Sequence, residues 1–138
     1  MITPEAAFAA ARAQMSGPLI WGACDCATAA AAAWAGLHGR DPLAAFRRRY
    51  SSPTGAMRIL VRAGGYLAWC DAVFAAAGLV RVARPVPGDL VLIESDGPIG
   101  AALGLAIEGA RVATKTETGL CVASAPMLGV WKCRSLDH

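Results

Sequence analysis

Apolar runs in the first half of the chain are separated by breaks that contain proline or glycine, and most runs follow a residue that can cap a helix. Serine, threonine and aspartate accept hydrogen bonds from the free amides at a helix start, and proline is tolerated in the first turn. Glycine after an apolar run indicates a helix end. The pattern predicts four helices, over about 4–14, 26–38, 53–63 and 67–77, and a further turn or two of helix over about 42–48.

After Gly78 the apolar runs become short and are separated by turn signals such as Pro87-Gly88 and Glu108-Gly109. Short apolar or β-branched runs between turn residues are typical of strands. The pattern predicts six strands, over 79–82, 90–93, 103–107, 111–114, 120–123 and 130–133. Helices followed by a series of strands favour an α+β fold with an antiparallel sheet. We expect residues 1–138 to form one domain.

The composition supports a folded domain: of 138 residues, 56% are hydrophobic and only 17% are charged, which excludes general disorder. The alanine tract at 29–33 is far shorter than the roughly 20 apolar residues of a membrane span. The first residues lack the basic, apolar and small-residue pattern of a secretory signal. We therefore expect no membrane span and no export by a standard leader.

The net charge of +3 is too small to indicate a nucleic-acid partner. The one dense basic cluster is Arg47, Arg48 and Arg49, followed directly by Tyr50. Because arginine and aromatic residues are frequent in interface hot spots, these four residues and Trp131 are candidates for contacts with a partner protein. The alternatives are a solvated surface for the arginines and core packing for the aromatic rings.

The five cysteines are an odd number in a chain with no recognisable leader, which argues against a disulfide framework. A thiolate zinc site is the alternative use of cysteine, but there is no Cys-x-x-Cys pair and no histidine near a cysteine in sequence. We therefore predict no metal site and no cofactor. The residues concerned are Cys24, Cys26, Cys70, Cys121 and Cys133.

Cys26 is the residue with the clearest chemical potential, because it follows Asp25 at a predicted helix start. If Asp25 caps the helix, the free amides and the helix dipole would stabilise a thiolate at Cys26, as in a cysteine nucleophile. The alternative is a small apolar residue that faces the sheet. Neither histidine is well placed as a base: His38 is about 18 Å along the helix, and His138 is the last residue.

Two motifs resemble the NlpC-type cell-wall cysteine peptidases: Trp-Gly-x-x-Asp-Cys over 21–26, and Pro-Gly-Asp-Leu-Val over 87–91. The resemblance implies a papain-like α+β fold with Cys26 as the nucleophile and a histidine base on a following strand. In the matching stretch, Ala102 stands where that histidine belongs. Without the base there is no group to protonate an amine leaving group, so we expect a domain that no longer cleaves peptides.

A narrower resemblance covers most of the chain. Gly39-Arg40-Asp41-Pro42, then Phe46-Arg47 and Tyr50, then Arg62-Ala63-Gly64-Gly65 look like small proteins encoded among phage and gene-transfer-agent tail genes. This resemblance implies a structural component of the virion tail, at its tip, assembled in the host cytoplasm. Its partners would be other tail proteins, with host peptidoglycan as a further candidate. The alternative is an active peptidase or amidase that opens peptidoglycan during genome delivery.

Overall fold

The helices lie close to where the sequence places them in the computed structural model, which describes residues 1–97 and 99–134. They are α1 (Pro4–Met15), α2 (Cys26–His38), α3 (Pro53–Ala63) and α4 (Tyr66–Ala76). The caps are also as expected: Thr3 accepts from the Ala6 amide, Ser52 accepts from the Gly55 amide, and left-handed Gly39 and Gly64 end α2 and α3. Local capping chemistry therefore fixes these boundaries.

The turn or two of helix predicted over 42–48 is present only as a single 3-10 turn over Ala44–Phe46. The Asp41 carboxylate accepts a hydrogen bond from the Leu43 amide and forms an ion pair with Arg47. Arg47 itself has an extended backbone. The Asp41 carboxylate thus bonds the backbone at the start of the segment, and the turn ends where the backbone becomes extended at Arg47.

The six strands form one antiparallel sheet in the order β1-β6-β2-β3-β4-β5. The α+β architecture and all six predicted strands are confirmed. The bounds are β1 (Leu79–Arg81), β2 (Leu90–Glu94), β3 (Ala101–Glu108), β4 (Arg111–Thr116), β5 (Gly119–Ala123) and β6 (Met127–Cys133).

The helices cover one face of the sheet and bury the main core against it. Strand side chains alternate between faces, so every second residue of a strand contributes to this core. On β3 these residues include Leu103, Leu105 and Ile107, which pack with Trp34 of α2. A smaller apolar cluster lies on the opposite face, formed by Val91, Ile93, Ala106, Val112 and Val130.

Within the described ranges, no single helix is long and apolar enough to cross a bilayer. Helices α3 and α4 reach that length and apolar character only when they are taken together, and a 78° bend separates them.

Candidate functional site

The site begins at the buried carboxylate of Asp25, which caps α2. Its Oδ1 accepts hydrogen bonds from the Thr28 amide at 2.9 Å and the Thr28 hydroxyl at 3.0 Å. The Thr28 hydroxyl in turn accepts from the Asp25 amide at 2.9 Å. This reciprocal arrangement is a capping box, with threonine in place of the usual Glu or Gln. The local spacing Asp-x-x-Thr over 25–28 is the sequence signal that indicates this capping box.

The second oxygen of Asp25 joins two loops to the start of α2. Oδ2 accepts from the Gly22 amide at 2.8 Å and from the Tyr50 hydroxyl at 2.6 Å. Gly22 has a positive φ of 84°, and a Cβ added there would overlap the Tyr50 carbonyl oxygen. Asp25 therefore holds the Trp-Gly segment and the Tyr50 segment together, as a structural residue.

Tyr50 and Arg47 are half-buried and hydrogen-bonded within the chain, and their role as contact residues stays a prediction. The Tyr50 hydroxyl is bonded to Asp25. The Arg47 guanidinium pairs with Asp41 and donates to the Thr28 carbonyl at 3.1 Å. Only Arg48 and Arg49 of the basic cluster are exposed.

Trp131 is also an internal residue and not the surface contact that we expected. Its side chain is 1% exposed, its ring packs edge-on against Phe74 at 5.1 Å between centroids, and its indole N–H donates to Asp71 at 3.0 Å. The Trp131 ring therefore packs in the core, as the alternative reading of the sequence has it.

Cys26 is the first residue of α2, as the capping pattern predicts. Its Sγ lies 3.4 Å from the Tyr66 hydroxyl, and the backbone of Leu103 and Ala27 also lies within hydrogen-bonding reach. Burial nevertheless raises the pKa of the Cys26 thiol, with a smaller contribution in the same direction from Asp25; the hydrogen bonds from Tyr66 and the backbone only partly oppose this rise. Desolvation thus outweighs these hydrogen bonds, and the direction of the pKa shift is opposite to the stabilised thiolate expected from the helix start.

Tyr66 is the titratable residue that touches Cys26, and no local sequence signal identifies it. Burial and the nearby Cys26 and Cys70 raise its pKa well above the usual range. Its hydroxyl therefore stays neutral at physiological pH. A neutral phenol can donate a hydrogen bond but is a poor base for a thiol.

His38 lies at the far end of α2 from Cys26. Its Nε2 is 3.2 Å from the Gly88 carbonyl oxygen, and its ring stacks on Trp34 with 4.3 Å between centroids. Burial lowers its pKa, so the ring is held as a neutral structural residue at a helix end. His138 lies outside the described residues.

Ala102 does not lie on the face of β3 that Cys26 approaches, which corrects the position assigned to the missing base. Ala102 packs with the smaller cluster on the outer face of the sheet, whereas Ala101 and Leu103 pack with the helix-side core. Because alternate strand residues face opposite sides, a histidine at Ala102 would point away from α2. The helix-side positions of β3 on either side of Ala102 are Ala101 and Leu103, and both are aliphatic.

A cavity of about 30 Å³ adjoins Cys26 and is walled mainly by aromatic and aliphatic side chains. Its lining includes Trp21, Tyr50, Ile59, Tyr66 and Trp69. This volume holds a water molecule or two but no peptide. A wider, open groove of about 890 Å³ runs from Trp21 and Cys26 along residues 94–97 and 99–102 to the outer sheet face.

No three His, Cys, Asp or Glu side chains come close enough to hold a metal ion in the part of the chain that the structure describes. The five cysteines are free thiols, and no two of them share a helix or strand.

The fold and the site define a small α+β domain in which a cysteine is the first residue of a helix that an aspartate caps. Residues 3–133 match the family described as "Domain of unknown function (DUF6950)". Because the match covers nearly the whole chain, the protein belongs to the DUF6950 family. Comparison with curated proteins and with solved structures gives no match.

Proposed function

We propose that the protein is a non-catalytic structural or assembly component of a phage or phage-like tail, at the tail tip. In this proposal the fold is a degenerate, papain-like NlpC-type domain. The motifs around Cys26 and Pro87-Gly88-Asp89 support the relation to cysteine peptidases. The motifs over 39–50 and 62–65 support the tail assignment.

The surroundings of the Cys26 thiol are the observation that carries the non-catalytic part. A cysteine hydrolase needs a base that takes the thiol proton and returns it to the leaving group. Here the side-chain partner of the thiol is the neutral Tyr66 hydroxyl, and the helix-side positions of β3 next to Ala102 are the aliphatic Ala101 and Leu103.

A muralytic zymogram of the wild-type protein and Cys26→Ala tests this part, with an active cell-wall hydrolase on the same gel. We expect neither form to clear peptidoglycan. Clearing by the wild type that is lost in Cys26→Ala would contradict the proposal.

Genetic complementation tests the tail assignment separately. We expect deletion of the gene to abolish infectious particles or transfer, and Cys26→Ala to restore them to the wild-type titre. The protein should also be found in purified particles. Full particle titre without the gene would contradict a role in assembly.

The alternative is a peptidase or amidase that gains its base from a neighbouring tail protein. The open groove that begins at Cys26 favours this alternative, because a second chain could reach the thiol there. It predicts that clearing appears only with assembled tails and disappears in Cys26→Ala.

A further inference from the structure

Strand β5 forms an open edge of the sheet. It pairs with β4 on one side and with no other strand within 1–97 and 99–134. Proteins usually protect such an edge with charged residues, proline or a bulge, because its backbone groups can pair with another chain. The β5 sequence Gly-Leu-Cys-Val-Ala has no charge and no proline, and its register is regular. Cys121 and Val122 on this strand are exposed.

The hairpin geometry shows which backbone groups point to the open edge. β4 and β5 are joined by a two-residue turn, with Thr116 opposite Gly119. The residues that flank such a turn form a hydrogen-bonded pair, and such pairs then alternate along the ladder. The backbone groups of Gly119, Cys121 and Ala123 are therefore directed to β4. Those of Leu120 and Val122 are directed outward.

We propose that this edge pairs with the β5 edge of a second copy of the chain, antiparallel about a two-fold axis at Cys121. In this register Leu120 of each copy lies opposite Val122 of the other, so the outward N–H and C=O groups of both residues are paired. The side chains opposite each other there are both apolar, which favours cross-strand contact. The two sheets then become one continuous sheet.

Electrostatics and symmetry favour a second copy over an unrelated strand. In the two-fold register Glu117 lies opposite Ala125, and no two charged residues face each other across the new pair. The same short segment satisfies its own hydrogen-bonding groups, as an isologous interface requires. The proposal concerns the protein alone in solution, so it stands whether or not the tail assignment holds.

The size of the contact predicts a weak dimer. A pair of five-residue strands buries much less than the roughly 1,200–2,000 Å² of a stable interface. Association should therefore depend on concentration, and disulfide cross-linking is the most sensitive probe of it. Cys121 can form the cross-link, because in this register it lies opposite Cys121 of the second copy as a non-hydrogen-bonded pair, with about 4.5 Å between Cα atoms. This separation lies within the range of natural disulfides.

The first experiment treats the full chain with diamide, which oxidises two thiols to a disulfide and is itself reduced to the hydrazine form. We expect a dimer whose peptide map contains a Cys121–Cys121 link, and no such dimer in Cys121→Ser. A monomer at all concentrations would overturn the proposal. So would an equal yield of dimer in Cys121→Ser, or a link through Cys133 at the other end of the sheet.

The second experiment removes the outward N–H without a change in the ladder to β4. Sedimentation equilibrium compares the wild type with Val122→Pro and with the control Val122→Thr, which keeps the N–H. Loss of two hydrogen bonds per dimer should weaken association about tenfold or more in Val122→Pro. Val122→Thr should associate like the wild type. If circular dichroism shows that Val122→Pro is folded and it still associates like the wild type, the proposal is wrong; if it is unfolded, the disulfide map decides.

Discussion

Asp25 concentrates four hydrogen bonds on one buried carboxylate: two from Thr28, one from Gly22 and one from Tyr50. A buried carboxylate is stable only if its acceptor sites are filled, so each donor contributes more than a surface hydrogen bond would. At the scale of single residues, the Asp-Cys motif therefore serves to fix two loops to α2. A catalytic role would not explain why this carboxylate accepts four hydrogen bonds.

The two tyrosines of the site provide a matched test of this view. Tyr50→Phe removes a 2.6 Å bond to a carboxylate, whereas Tyr66→Phe removes a 3.4 Å contact with a thiol. We expect Tyr50→Phe to lower the free energy of unfolding by about 2 kcal/mol and Tyr66→Phe by about 1 kcal/mol or less. Urea denaturation at neutral pH measures both. A larger loss of unfolding free energy for Tyr66→Phe than for Tyr50→Phe would show that the hydrogen bonds to Asp25 are not the stronger contribution to stability.

At the scale of the elements, helix starts could be predicted from sequence because capping is local. Thr3, Asp25 and Ser52 each bond an amide three residues ahead, so a short window contains the whole signal. The helical segment over 42–48 is shorter than predicted, because the backbone becomes extended at Arg47, which pairs with Asp41. Strands were found because turn residues separate them.

The contacts of the candidate site could not be predicted in the same way. Tyr66 reaches Cys26 across 40 positions of sequence, so the contact depends on how α4 packs against α2. The assignment of the missing base to Ala102 failed because a motif match gives a position along β3 but not its face. A shift of one residue moves a strand side chain to the other side of the sheet.

Gly104 shows how closely β3 and β4 approach, and it gives an element-scale prediction. A Cβ at Gly104 would lie 2.5 Å from the Ala113 carbonyl oxygen and 2.6 Å from Val112, whereas one at Gly36 in α2 would meet nothing within 4 Å. We expect Gly104→Ala to destabilise the protein by about 1–3 kcal/mol. Gly36→Ala should stabilise it by about 0.5–1 kcal/mol. Thermal unfolding distinguishes them, and an opposite order would contradict the described register.

At the scale of the whole molecule, buried polar groups are used mainly to join elements. The Lys115 ammonium donates to the Met15 carbonyl at 3.0 Å and ties β4 to the end of α1, while Asp71 on α4 accepts from Trp131 on β6. Asp25 does the same for the loops around α2. The half-buried Cys26 thiol also joins elements, because it contacts the Tyr66 hydroxyl of α4 and the backbone of Leu103 on β3. The central claim is that this thiol is structural.

The direction of the Cys26 pKa makes that claim measurable. Burial raises the pKa of the folded thiol, so the protonated form is favoured in the folded state, and the stability it contributes is present below the ordinary thiol pKa of about 8.5. That contribution is lost as the pH rises through the raised value. At neutral pH the thiol should therefore be less nucleophilic than an exposed cysteine.

The most direct measurement is the pH dependence of iodoacetamide alkylation, followed by peptide mapping of Cys26 and the exposed Cys121 in the same molecule. Cys121 serves as the internal reference and needs no variant. We predict that Cys26 reacts more slowly than Cys121 from pH 6 to 8, and that its rate still rises with pH, without an inflection, throughout this range. Faster reaction at Cys26, with an inflection below pH 7, would show an activated thiolate and contradict the structural account.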